Sequence, residues 1–351
     1  MNVRTDYFDH NATSPLVPEV RAAVADALDG LWANPHAQYR SAQAASVAVE
    51  AARRHVASLL GFPPTTIFFT SGATESNSWV LQQAAGQGRG VLGSAIEHPS
   101  VAVHLDATVP VDHTGIVDLQ ALDRQLDSGH FGLVSVMGAN NETGVIQPIS
   151  DVAEVCRKQG VRLHCDASQM PGRVSLDCLA LADFVTLSGH KMGGPRGIGV
   201  LAARTELPAL HQGGPQERGL RAGTVNVPAV VGMGVAATLA TPMMSQARDA
   251  IEAICVELGA TILGAGAPRL PNTISAMFDV PGDLLVMSLD LEGICASTGS
   301  ACSSGSHRPS AVVEAMGMSG APLRLSLGRD SDPSRLLQVL PQVVARARAA
   351  L

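Results

Sequence analysis

Through most of the first 235 residues, short apolar runs alternate with amphipathic segments. Ile67-Phe68-Phe69-Thr70 reads as a buried strand, followed by a helix from about Ala73. Further strands are expected at Leu133 to Met137, Val161 to Cys165, Phe184 to Leu187 and Ile198 to Leu201. Ser150 is the expected cap of a helix running to Gly160, and two helical stretches, Pro18 to Trp32 and Ser41 to Leu60, come first. Strand–helix alternation of this kind predicts an α/β fold with a largely parallel sheet covered by helices on both faces.

After Pro228 the pattern changes. A long Ala-rich helical region, broken at Pro242, leads to a strand around Asn272 to Phe278 and a helix from Asp283 to Leu291. Next come a Gly/Ser-rich loop, a short helix, a strand over Pro322 to Leu327 and a final helix. This predicts a large α/β domain over residues 15–240 and a smaller α+β domain from residues 1–14 and 241–351. The boundary near residue 240 is expected inside a helix.

Composition narrows the function. Charged residues make up 16% of the chain, and 24 basic against 31 acidic residues give a net charge of −7 without a basic run. With 3% aromatics, that balance argues against nucleic acid and against an anionic membrane surface. No long uncharged apolar run or signal-like start is present, so a cytoplasmic protein with no membrane span is expected. Six scattered cysteines without a Cys-x-x-Cys pair read as reduced thiols, and no metal site is expected.

Five segments at the carboxyl ends of expected strands carry polar chemistry, where open α/β sheets bind ligands. Thr70-Ser71-Gly72-Ala73-Thr74-Glu75 turns a strand into a helix whose free amides suit a phosphate; ordinary helix capping is the plainer reading. Ser188-Gly189-His190-Lys191 sets a lysine just past a buried strand, where desolvation favours a Schiff base with an aldehyde. His164-Cys165-Asp166-Ala167-Ser168-Gln169 offers a carboxylate for a protonated ring nitrogen and an amide for a ring oxygen. Glu97-His98-Pro99 and Asn140-Asn141-Glu142 add an imidazole and an amide to the same rim. Each has a bland alternative as a cap or a satisfied core group. Together they make a phosphate cradle, ring partners and an aldehyde-reactive amine, as pyridoxal 5'-phosphate requires.

The order of these motifs, with Glu217-Arg-Gly-Leu-Arg-Ala-Gly-Thr224 and Gly299-Ser-Ala-Cys302, resembles the cysteine desulfurases. These belong to the class V aminotransferase group of fold type I pyridoxal-phosphate enzymes. The similarity runs from Tyr7 to about Arg324. It implies that Lys191 joins the cofactor, Asp166 pairs with the pyridinium nitrogen, Gln169 meets the ring hydroxyl and His98 stacks on the ring. It further implies that Ala73, Thr74, Ser188 and His190 hold the phosphate and that Asn141 lies near the ring. Thr224 matches a threonine that reaches the neighbouring subunit's phosphate, implying a homodimer. Arg324 and Asn34 match substrate contacts, and Cys302 matches the nucleophile. The implied reaction turns L-cysteine into L-alanine and leaves a persulfide on Cys302, bound for a sulfur-acceptor protein in iron-sulfur cluster assembly or thiolation.

Several positions depart from the pattern. His10 and Asn11 stand where an aromatic and a small residue are common, and Asn77-Ser78 differ after the phosphate motif. Cys295 is an additional thiol, expected to be a buried strand residue, and the C-terminus is short for docking a scaffold. Two rivals remain: selenocysteine lyase or another pyridoxal-phosphate lyase or aminotransferase, and a non-catalytic sulfur relay. Gly232-x-Gly234-x-x-Ala237 matches a weak dinucleotide fingerprint but lacks the strands it needs.

Overall fold

The computed structural model describes residues 6–85, 89–299 and 310–351. Its strands, in chain order, begin with β1 (Asp6–Tyr7), β2 (Ile67–Thr70), β3 (Gly90–Ser94), β4 (Ala107–Val109), β5 (Phe131–Ser135) and β6 (Arg162–Asp166). They continue with β7 (Phe184–Ser188), β8 (Gly199–Ala203), β9 (Thr261–Ile262), β10 (Thr273–Met277), β11 (Ile294–Cys295) and β12 (Leu323–Ser326).

A seven-stranded sheet has the order β2-β8-β7-β6-β5-β3-β4. The β4-β3-β5-β6-β7 part is parallel throughout, and β8 runs antiparallel to both β7 and β2. The carboxyl ends of β2, β3, β5, β6 and β7 therefore share one edge. Strands β7 and β8 are buried along their whole length, as in a sheet covered on both faces. His164 sits in this sheet with no exposure, where Ser135 on β5 and Thr186 on β7 meet its two ring nitrogens at 2.8 and 3.1 Å. Burial pushes its pKa down to about 4, so the ring is neutral.

A second unit packs a three-stranded antiparallel sheet, β12-β10-β9, with the parallel pair β1-β11. Its apolar cluster combines Phe8 with residues such as Ile274, Leu325 and Leu340. No helix among the described residues is long and apolar enough to cross a membrane.

Two local expectations need correction. The Ile149–Gln159 helix starts one residue before Ser150 and has Pro148 as its cap, so Ser150 lies inside the first turn. The Pro148 carbonyl already accepts from Val152, which closes that turn without a side-chain cap. Residue 240 is not within a helix either. The Val227–Leu239 helix ends first, Ala240 leaves helical geometry at ψ 82°, and the next helix starts at Gln246. Pro242 between them cannot donate a helical hydrogen bond.

Gly232 and Gly234 lie within the Val227–Leu239 helix and are buried there. A Cβ on Gly234 would come 2.6 Å from the Ala52 backbone, and one on Gly232 would come 2.5 Å from Pro195. These glycines serve close helix packing. Gly234→Val is expected to destabilise the protein by about 1–3 kcal/mol in urea unfolding. An unchanged midpoint would show that the Arg40–Leu60 helix can yield.

Candidate active site

A cavity of about 510 Å³ opens at the carboxyl edge of the large sheet, where several strand ends and part of the second unit meet. Lys191 lies just past β7, and its side chain is mostly buried. The Nζ donates to the backbone carbonyls of Asn11 and, at 2.9 Å, Ala12. Carbonyl dipoles compensate a charge only in part. Burial, aided by the nearby Arg173 and Arg324, lowers the Lys191 pKa to about 8.

Asp166 ends β6 at the cavity wall. Its Oδ1 accepts the Ser168 amide at 3.0 Å and its Oδ2 accepts from Asn77 Nδ2 at 2.8 Å. Gln169 also lines the cavity; its Nε2 donates to the Asn11 carbonyl, and its Oε1 accepts from Arg173. Arg173 is buried among the carbonyls of Gln169, His10 and Lys191, and burial pushes its pKa down.

One end of the cavity suits an anion. The first-turn amides of Ala73 and Thr74 open the Ala73–Ala85 helix, where an α-helix leaves donors unused. Ser188, His190 and Arg196 line the cavity too. His190 Nδ1 lies 3.1 Å from the Thr13 hydroxyl, and burial with the charges of Lys191 and Arg196 brings its pKa down to about 4. The approach is close: a Cβ on Gly199 would fall 2.4 Å from the Gly72 carbonyl carbon. The expected cap takes another form. Glu75 accepts the Ser71 amide at 2.9 Å and pairs with Arg221 at 2.8 Å.

His98 caps the short Pro99–Ala102 helix, its Nδ1 accepting the Ser100 amide at 3.1 Å, and burial lowers its pKa. Next to it, Glu97 is fully buried. Its Oε1 accepts from Ser94 at 2.6 Å and from the Met137 amide at 2.8 Å, while Oε2 has no partner. Burial pushes its pKa up to about 8, so the carboxyl is protonated at neutral pH.

Arg324, on β12, brings the second unit to the cavity. It donates to Asp9 at 2.6 Å and to the Asn141 carbonyl at 3.0 Å, and its buried Nε has no partner. An incoming carboxylate would share this guanidinium with Asp9.

The chain thus brings together Ala73, Thr74, His98, Asn141, Asp166, Gln169, Ser188, His190, Lys191 and Arg324. It does not bring in Asn34, which is exposed and accepts the His36 amide at 3.1 Å. Nor does it bring in Thr224, which is exposed beyond a turn where Glu217 and Arg218 take left-handed φ values of 45° and 60°. A buried pair, Arg53 with Glu217 at 2.8 Å, holds that turn. Cys302 lies outside the described residues. The other five cysteines are free thiols, and their pKa values are all raised, first of all by burial. Cys295 is only half-buried on β11. Sequence reasoning missed Arg196, although its place in Gly193-Gly194-Pro195-Arg196-Gly197, just past Lys191, was a readable signal.

The residues fit pyridoxal phosphate by their donor set. A buried amine of lowered pKa, a carboxylate with two donors fixing it, an anion-binding end and the orphaned Ser168 hydroxyl all surround one cavity. Among the described residues no group of three or more His, Cys, Asp or Glu could hold a metal ion.

The pattern of the Aminotransferase class-V family matches residues 6–338. The chain belongs to this family. Cysteine desulfurase IscS of Methanosarcina thermophila is 36% identical, with 99% of this chain and 95% of that protein covered. A cysteine desulfurase of Sinorhizobium fredii is 38% identical over 99% of this chain and 98% of its own length. Among solved structures, a NifS-like protein superposes with a TM-score of 0.90 at 32% identity, covering 99% of this chain and all of the other. A structure of SspA in complex with cysteine gives 0.82 at 31% identity, covering 93% of this chain and 99% of the other. The α/β architecture of this class-V chain is that of a fold type I enzyme.

Two outcomes follow from the titrations. In cofactor-free protein, reductive labelling of Lys191 by a small aldehyde should rise through a midpoint near 8, since the free amine predominates above its pKa. A midpoint near the ordinary 10.5 would contradict the seat described. For Glu97 the folded pKa lies above the unfolded one. Its stabilisation is therefore complete below the unfolded value of 4.5 and is lost as pH rises through about 8. Glu97→Gln should flatten the fall in melting temperature between about pH 5 and 8; an unchanged slope would place the loss elsewhere.

Proposed function

We propose that this protein is a pyridoxal-phosphate-dependent cysteine desulfurase, converting L-cysteine to L-alanine and passing the sulfur to an acceptor protein. The observation that carries this reading is the buried Lys191 amine, held by two backbone carbonyls, sharing one cavity with Asp166 and Arg324. The relatives named for this activity support it, as does the similar structure solved with cysteine.

When bound, the cofactor supplies an electron sink for the pair released at the substrate's α-carbon. Asp166 would pair with the protonated ring nitrogen, and Gln169 would donate to the ring oxygen. Ala73, Thr74, Ser188 and His190 would hold the phosphate, with Thr224 of a second copy completing it in a homodimer. Lys191 would hold the aldehyde, and its free amine would take up the α-proton. His98 and Asn141 would line the ring. Arg324 would orient the substrate carboxylate, and Asn34, which the single chain leaves outside the cavity, would be a second contact. The Cys302 thiolate attacks the substrate sulfur; the carbon–sulfur bond breaks, a persulfide forms on Cys302, and the three-carbon remainder takes up protons as alanine.

In this division of labour the large unit, residues 15–240, holds the cofactor. The smaller unit, residues 1–14 and 241–351, supplies Arg324 and Cys302. A cytoplasmic role in iron-sulfur cluster assembly or thiolation fits the chemistry of the product.

Protein loaded with pyridoxal phosphate should be yellow and release alanine and sulfide from L-cysteine under reducing conditions. Lys191→Ala should abolish the colour that survives desalting, and Cys302→Ala should lower alanine formation by roughly 100-fold or more. A protein that pyridoxal phosphate cannot colour would overturn the cofactor. Full alanine production by Cys302→Ala would overturn the nucleophile.

A further inference from the structure

One polar side chain between β6 and His98 has no part in the reading above. Asn77 lies in the Ala73–Ala85 helix with no exposure. Its Nδ2 donates to Asp166 Oδ2 at 2.8 Å and to Ser100 Oγ at 3.0 Å. Both amide hydrogens are thereby used. Its Oδ1 is buried with no partner, so the residue's hydrogen bonding rests on its donors alone. Turning the amide over would aim that oxygen at a carboxylate.

The direction of the next bond follows. The Ser100 hydroxyl oxygen accepts from Asn77, and its own proton points to His98 Nδ1 at 2.8 Å. The Ser100 backbone N–H, which cannot accept, donates to the same Nδ1 at 3.1 Å. Nδ1 is therefore a bare lone pair, and in the neutral ring the proton must be on Nε2.

We propose that Asn77 is a positioning residue that clamps the Asp166 carboxylate and, through Ser100, fixes His98 as the neutral tautomer with its proton on Nε2. Its bearing on catalysis rests on the function proposed above. There, His98 enters as a hydrogen-bond donor at Nε2, not as a proton acceptor at that atom. The tautomer itself is a property of the chain without cofactor. The charged groups that act on His98 are Asp166, which favours its protonation, and Lys191, which opposes it. Glu97 beside it is neutral at pH 7.

The test uses cofactor-free full-length protein labelled with 15N-histidine, with the His98 signal identified by its loss in His98→Gln. Long-range proton–nitrogen correlations at pH 7 should show Nε2 protonated and Nδ1 as an acceptor, with the second proton taken up only below the range of an ordinary histidine. Asn77→Leu removes both donors together with the unpaired oxygen, so the fold is expected to tolerate it. It should lower the share of the Nε2–H tautomer, which the Ser100 backbone N–H alone then favours, and move the protonation midpoint of His98 upward. Ser100→Ala, which removes the hydroxyl that meets Nδ1, should move the midpoint the same way by at least as much, and Ser100→Thr, which keeps the hydroxyl, should keep the wild-type spectrum. A proton on Nδ1 in the wild type would overturn the proposal. So would a His98 signal that neither Asn77→Leu nor Ser100→Ala moves. If Asn77→Leu does not fold, the Ser100 pair decides alone. No step of this test uses cofactor or cysteine, so its failure would leave the proposed activity standing, and the reverse holds too.

Discussion

A lysine amine held in a cleft by two backbone carbonyls is the constraint on which the site depends. A carboxylate touching Lys191 Nζ would stabilise its charge and make it unreactive at neutral pH. Carbonyl oxygens of Asn11 and Ala12 orient the amine while leaving its proton weakly held. Those carbonyls must themselves be fixed. Asn11 is locked by its amide to Ser326 Oγ at 2.9 Å and by its side chain to Thr273 at 2.9 Å and the Asn141 carbonyl at 3.0 Å. Ser326 and Thr273 belong to the antiparallel sheet of the second unit, and Asn141 to the rim of the large sheet. The reactivity of one side chain thus draws on both sheets.

The same economy governs the buried acids. Asp166 takes one donor on each oxygen at the cavity wall, whereas Glu97 takes both of its donors on Oε1, leaves Oε2 without a partner and, buried, stays protonated. His164 adds a third case, a neutral ring pinned by two hydroxyls.

Much of this arrangement was legible in the sequence. Buried parallel strands read as continuous apolar runs, and polar residues at their carboxyl ends converge by topology; hence Lys191, Asp166, Gln169 and His98 could be marked in advance. What was not legible depends on direction and partnership. Ser150 looked like a cap because serine favours that place, but Pro148 occupies it. The two glycines at 232 and 234 match a weak dinucleotide fingerprint, but Pro228 and the Ala-rich run read as a helix, and the glycines serve its close packing. Asn77 drew notice only as a departure from a family pattern, because a sequence does not tell which way an amide faces. Asn34 and Thr224 are exposed and lie outside the cavity, and no local pattern encodes their place relative to it.

The segment from Asp6 to Thr13 begins as a strand paired with β11 and ends beneath Lys191. It acts as a lever arm between the two units. A tilt of the smaller unit would shift Ser326 and Thr273, and with them the Asn11 and Ala12 oxygens that the amine grips. The seat of the amine is therefore anchored in both units at once, through a segment of eight residues that neither unit holds alone.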